Sequence, residues 1–130
     1  MTESLKVRVD RRDGLAVVNT EGYINNQGGE QIAQAANGLM EEGYRTLLLN
    51  LAGSKIVNSI GISILIEVLE RMLELKGKLA FCNLTPTIQK TFHIMGLTQY
   101  AQVYPDEPTA LAELLAPASP PSGLTSNGGS

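Results

Sequence analysis

The sequence predicts an α/β fold, with a mixed, mostly parallel sheet of about five strands packed with four helices. Three observations predict this fold: an amino-terminal pair of strand-like segments around Asp13-Gly14, short apolar runs further along the chain, and helical apolar periodicity between those runs. Strands that alternate with helices pair in parallel through right-handed crossovers. The opening pair adds an antiparallel hairpin.

The hairpin is predicted from residues 5–10, which alternate apolar and charged side chains, and from residues 15–20, which are rich in β-branched side chains. Asp13-Gly14 between them is a typical two-residue hairpin turn. The next segment, residues 21–26, is predicted to be a loop.

A helix is expected over residues 30–42, entered at Gly28-Gly29 and ended by Gly43. Residues 46–51 lack alternation, as is usual for a central strand covered on both faces. A second helix is expected over about residues 60–76, where Gly77 can end it.

The second half of the chain continues this order. Residues 79–84 predict another buried strand, and Thr85-Pro86 predicts an N-cap with proline at the first helical position. That helix runs to about residue 95 and ends at Gly96, before a short strand at 101–104 and a last helix at 108–115. Residues 1–115 are thus predicted to form one domain, and 116–130, rich in Pro, Ser, Gly and Asn, a disordered tail.

Composition argues against several classes of partner. The net charge is −3 and no basic stripe interleaved with aromatic residues occurs, which argues against nucleic-acid binding. Apolar runs are far shorter than the roughly 20 residues of a membrane span. The amino terminus does not resemble a signal peptide, and the single cysteine fits a reducing compartment, so a cytoplasmic location is expected.

Catalytic chemistry is also not predicted. His93 is the only histidine and Cys82 the only cysteine, so neither a Cys–His pair nor a zinc-ligand cluster is easily assembled. Cys82 lies in an apolar strand, where a buried, inert thiol is expected. No phosphate-binding loop motif follows a strand. We therefore predict no catalytic residue, no metal and no cofactor.

The informative segment is residues 56–62, between the central strand and the most apolar helix. Asn58 and Ser59 fit two interpretations: they cap the helix, or the Ser59 hydroxyl accepts a phosphate, which a helix amino terminus tolerates well. Apolar residues of this helix spread beyond a narrow stripe, and those nearest the loop, Ile62 and Ile66, are expected to form an exposed rim. Burial under the tail or under a neighbouring helix is the alternative.

At these residues the sequence resembles the STAS domains of bacterial anti-sigma factor antagonists, over about residues 5–115. Residues 47–51 resemble the strand before the family motif, and residues 57–62 resemble its Asp-Ser-Ser-Gly-Leu signature. Residues 79–86 and 95–97 resemble the later strand, turn and helix end. Asn58 stands where the family usually has Asp, Ile60 where a small residue is common, and Asn25 where a second Asp is usual. These departures predict a less acidic partner face.

The resemblance implies that the unphosphorylated domain binds an anti-sigma factor, often a serine kinase, and thereby releases a sigma factor. It further implies that phosphorylation of Ser59 breaks this complex and that a PP2C-type phosphatase restores it. The predicted partner-binding residues come from two segments: Tyr23, Ile24, Asn25, Asn58, Ser59, Ile60, Gly61, Ile62 and Ile66.

Three functions follow as hypotheses. The first is the phosphorylation-switched antagonist, and the second is a STAS adaptor in a signalling assembly that needs no phosphorylation. The third is a sensor of a small molecule or nucleotide at the same helix start, which is disfavoured because residues 56–70 contain no Lys or Arg to hold an anion.

Overall fold

A computed structural model describes residues 5–115. Its element order is the predicted one, β-β-α-β-α-β-α-β-α. The strands are β1 Lys6–Arg12, β2 Leu15–Glu21, β3 Thr46–Gly53, β4 Lys78–Cys82 and β5 Gln102–Tyr104. The helices are α1 Asn26–Glu41, α2 Ser59–Glu74, α3 Pro86–Ile94 and α4 Glu107–Leu114. The predicted tail, residues 116–130, lies outside the described residues.

The strands form one mixed sheet in the order β1-β2-β3-β4-β5. β1 and β2 are antiparallel and turn at Asp13-Gly14, with Arg12 paired to Leu15 and Gly14 at a φ of +84°. The other three pairs are parallel. The predicted fold class, including the amino-terminal hairpin, is therefore confirmed.

Two cores lie on opposite faces of the sheet. The larger core joins α1, α2 and α3 to one face and contains an edge-to-face pair of Phe81 and Phe92, with ring centroids 5.0 Å apart. The smaller core joins α4, through Ala110, to the other face at Val17, Leu48 and Cys82. This alternation follows from successive strand side chains pointing to opposite faces.

The first helix begins earlier than expected. We predicted residues 30–42, but α1 starts at Asn26, because the Asn25 side chain accepts a hydrogen bond from the Gly28 amide and places both glycines inside the first turn. Two glycines lower helix propensity, and the sequence pattern alone placed them before the helix. A single 3-10 turn at Leu97–Gln99, which was not predicted, links α3 to β5.

Cys82 is fully buried at the end of β4, as predicted for a structural thiol. Burial, assisted by the nearby Glu107 and Asp106 carboxylates, raises the pKa of the Cys82 thiol to about 12. The reactive thiolate is therefore scarce in the folded protein at neutral pH.

We expect Cys82 to react with a disulfide reagent more than about a hundredfold more slowly in the native protein than in the unfolded chain, where an ordinary thiol pKa near 8.5 applies. Absorbance of the released thiol at mildly alkaline pH, with and without guanidinium chloride, measures both rates. Similar rates would contradict the described burial.

Candidate partner-binding site

Two helices begin side by side at the carboxyl edge of the sheet. Parallel strands β2 and β3 both end there, and their loops lead into α1 and α2. Asn25 caps α1 and Asn58 caps α2, each accepting a hydrogen bond at 2.8 Å, from Gly28 N–H and Gly61 N–H respectively. Neutral amide oxygens thus fill both cap positions with the same geometry.

The two loops are joined by a parallel bridge between Ile24 and Val57. The Ile24 amide donates to the Ile56 carbonyl at 3.0 Å, and the Asn58 amide donates to the Ile24 carbonyl at 3.1 Å. Below the bridge, the buried hydroxyls of Thr20 and Ser54 are hydrogen-bonded at 2.7 Å. The parallel pairing of β2 with β3 thus continues past the ends of these strands into the two loops, and it fixes the distance between the starts of α1 and α2.

Glycines allow the close approach of these segments. A Cβ at Gly61 would overlap the Ile24 carbonyl oxygen, and a Cβ at Gly28 would lie 2.6 Å from the Tyr23 carbonyl oxygen. A Cβ at Gly29 would lie 2.9 Å from Ile64 Cδ1 on the neighbouring helix. A side chain at Gly61 would therefore push the start of α2 away from the Ile24 backbone, one at Gly28 would push α1 away from the Tyr23 backbone, and one at Gly29 would require the Ile64 side chain to move.

Ser59 is the first residue of α2 and its side chain is exposed. Among the described residues its hydroxyl has no hydrogen-bond partner, while its carbonyl accepts from the Ser63 hydroxyl at 3.0 Å. Three large apolar side chains from the same loops and helix start are exposed: Tyr23 at 44%, Ile56 at 62% and Ile60 at 54%. We name Tyr23, Ile56, Ser59 and Ile60 the Ser59 surface.

The structure divides the nine predicted contact residues. Tyr23, Ser59 and Ile60 are exposed, whereas Asn25, Asn58 and Ile66 are half-buried. Ile24, Gly61 and Ile62 are buried, so the expectation of Ile62 in an exposed apolar rim is wrong. Ile24 and Ile62 both pack in the larger core, and Gly61 lies against the Ile24 backbone.

Ile56 is an exposed residue of this surface that the prediction left out. It lies in the extended backbone of the bridge, where side chains alternate, so Ile56 points outward while Val57 packs against the core. In Lys55-Ile56-Val57-Asn58 two apolar residues follow each other between two polar ones, so the sequence holds no alternation that could have shown which of the two is exposed.

The Ser59 surface is free of acidic side chains. Residues 22–29 and 54–66 contain no Asp or Glu, and Lys55 is their single charged residue. Both helices direct their positive dipole ends and unpaired amides toward this surface. The surface can therefore accept added negative charge without repulsion from its own residues.

Residues that could carry other chemistry lie elsewhere. His93 is exposed on α3, where its Nδ1 is 3.1 Å from the Thr98 hydroxyl, and Cys82 is buried. Within residues 5–115, no group of three or more His, Cys, Asp or Glu side chains could hold a metal ion. Over the same residues, no helix has the length and apolar character needed to cross a membrane.

Comparison with known proteins gives one consistent result. The model of the STAS domain family matches residues 6–110. "Putative anti-sigma factor antagonist BtrV" from Bordetella bronchiseptica is 25% identical over 92 residues, which cover 71% of this chain and 79% of that protein. An anti-sigma factor antagonist from Mycobacterium paratuberculosis superposes with a TM-score of 0.75 at 22% identity, covering 85% of this chain and 94% of that one. The Bacillus cell fate determinant SpoIIAA in its phosphorylated form gives 0.67 at 18% identity, covering 84% and 99%.

We expect Gly61→Ala to lower the free energy of unfolding by about 1–3 kcal/mol, because the added methyl group overlaps the Ile24 carbonyl and overpacks the bridge. Gly38→Ala is the matched control, since a Cβ at this helical glycine meets no atom within 4 Å. It should raise the stability by about 0.4–1 kcal/mol. Urea unfolding of the three proteins measures both changes, and equal effects would contradict the described contact.

Proposed function

The chain belongs to the STAS domain family, and on that premise we propose that it is an anti-sigma factor antagonist: it binds an anti-sigma factor and thereby releases the sigma factor that this protein inhibits. Two proteins similar to this chain support the proposal: BtrV is named a "putative anti-sigma factor antagonist", and the Mycobacterium paratuberculosis protein is named an anti-sigma factor antagonist. In this function the chain regulates sigma-factor-dependent transcription in the bacterial cytoplasm. It acts by binding and not as an enzyme.

The observation that carries the proposal is the Ser59 surface. A free, exposed hydroxyl lies at a helix start beside three exposed apolar side chains, Tyr23, Ile56 and Ile60. Exposed apolar side chains of this size mark protein-binding surfaces when they cluster. The loops and the helix start that contain these residues are held by the Ile24–Val57 bridge and the two asparagine caps. The contact surface is therefore already formed in the free protein.

We further infer that Ser59 is the switch. In the unmodified state the apolar side chains pack against the anti-sigma factor, which is itself the serine kinase. Ser59 Oγ attacks the γ-phosphorus of ATP, the bond from this phosphorus to the bridging oxygen breaks and ADP leaves, and a base of the kinase takes the hydroxyl proton. The phosphate adds about −1.5 to −2 charges to a partly apolar interface, so its desolvation favours release of the partner. A PP2C-type phosphatase hydrolyses the phosphate ester and restores binding.

A second candidate function is a STAS adaptor that is never phosphorylated. It is favoured by the hydrogen bond from Gly61 N–H to Asn58, because this cap gives Asn58 a structural role without any modification of its neighbour. In this function the Ser59 surface binds its partner constitutively.

We expect Ser59→Ala to bind the anti-sigma factor as the wild type does, and Ser59→Asp to bind it about tenfold or more weakly, because the carboxylate must be desolvated in the interface. Calorimetric titration of the purified partner with each variant measures the affinities. Equal affinities of the two variants would reject the switch. We expect Ile60→Arg to lose binding, and this variant tests the Ser59 surface independently of phosphorylation.

The switch and the adaptor are separated by the modification itself. After incubation with ATP and the candidate anti-sigma kinases, we expect mass spectrometry to find one phosphate on Ser59 and none on Ser63. Ser63 is the matched control, since it is an exposed serine one turn further along α2. A chain that remains unmodified with every candidate kinase, and in protein isolated from its native cells, would favour the adaptor.

A further inference from the structure

A groove of about 870 Å³ adjoins the outer strand β5, and all three residues of that strand contribute to its lining. Its other walls come from Gln89, Lys90 and His93 on α3 and from Glu113 on α4. β5 is the last strand of the sheet, and within residues 5–115 it pairs only with β4. The backbone groups on its outer side are therefore available to another strand.

The two helices beside the groove lie on opposite faces of the sheet. α3 packs into the larger core through Ile88 and Phe92, and α4 packs into the smaller core through Ala110. A strand added to β5 would therefore have one helix on each face, and its alternating side chains would meet α3 and α4 in turn. We propose that this groove binds an extended, acidic segment of a partner protein, which adds to β5 as a sixth strand.

The charges around the groove define the sequence of that segment. Residues 75–105 contain no Asp or Glu, although the whole chain has a net charge of −3. Lys90 thus lies on the α3 wall without a neighbouring carboxylate from this segment, and its positive charge favours acidic side chains on that side of the added strand. Glu113 on the α4 wall disfavours them on the other side. The segment carries acidic residues at every second position.

Exposed apolar side chains extend this surface beyond the groove. Ile94, 70% exposed, and Tyr100, 65% exposed, are the chain neighbours of the groove residues His93 and Ala101. They can contact an apolar residue at one end of the bound segment. The groove lies at the edge of the sheet beyond β4, whereas the Ser59 surface lies above β2 and β3, so the two surfaces can be occupied at the same time.

The test uses the full chain, labelled with ¹⁵N, and blocked peptides about seven residues long, near the usual length of a strand. A peptide of alternating valine and glutamate should shift the amide resonances of β5 and of α3 near Lys90 at up to millimolar concentration. Lys90→Glu should weaken binding tenfold or more, whereas Lys55→Glu, which changes the net charge equally but lies next to Ile56 and away from the groove, should not. A peptide of alternating valine and lysine should not bind.

Strand addition requires peptide amides, so the glutamate peptide with proline at its central positions should lose binding. Equal binding of that proline peptide, or shifts at the Ser59 surface in place of β5, would overturn the proposal. If the glutamate peptide bound only to a variant that ends at Leu115, the occupant of the groove would be residues 116–130 of the chain itself. Self-association of the chain through β5 would assign it to a second copy, and either result would also overturn the proposal.

Discussion

The backbone pairing of Ile24 with Val57 is the contact on which the Ser59 surface depends. It joins two loops that the sheet alone leaves separate, since the parallel register of β2 and β3 is already disturbed between Asn19 and Glu21. The bridge aligns the two asparagine caps, and the caps set the directions of α1 and α2. The exposure of Ser59 and Ile60 follows from this alignment, because both occupy the first turn of a helix whose start is held in place.

Much of the fold could be predicted from the sequence because its signals are local. The Asp13-Gly14 turn, the Thr85-Pro86 helix start and the apolar run of residues 46–51 each define an element without reference to distant residues. The start of α1 could not be predicted in the same way. Gly28 and Gly29 lower helix propensity, which hides the Asn25 cap in the sequence, and the contact of Gly29 with Ile64 on α2 is a tertiary one that no local pattern shows.

The candidate site was predicted in position but not in detail. Ser59 and its cap Asn58 could be placed at a helix start from residue type alone, whereas the burial of Ile24 and Ile62 depends on the bridge. In the sequence, Ile56 and Ile62 are equivalent apolar residues on either side of Ser59. The structure exposes Ile56 and buries Ile62, because one lies in the extended bridge segment and the other on the core-facing side of α2.

The residues beneath the Ser59 surface tolerate fewer substitutions than the residues that form it, because glycine contacts leave little space there. At Gly28 and Gly61 a backbone carbonyl oxygen leaves no room for a Cβ, and Ile24 is fully buried, so this frame tolerates few substitutions. Tyr23, Ile56 and Ile60 project from that frame into solvent, where most replacements leave the packing intact. With the proposed function, gene duplicates of such a chain can acquire different partner specificities by exchanging these three side chains, while every copy retains the same scaffold.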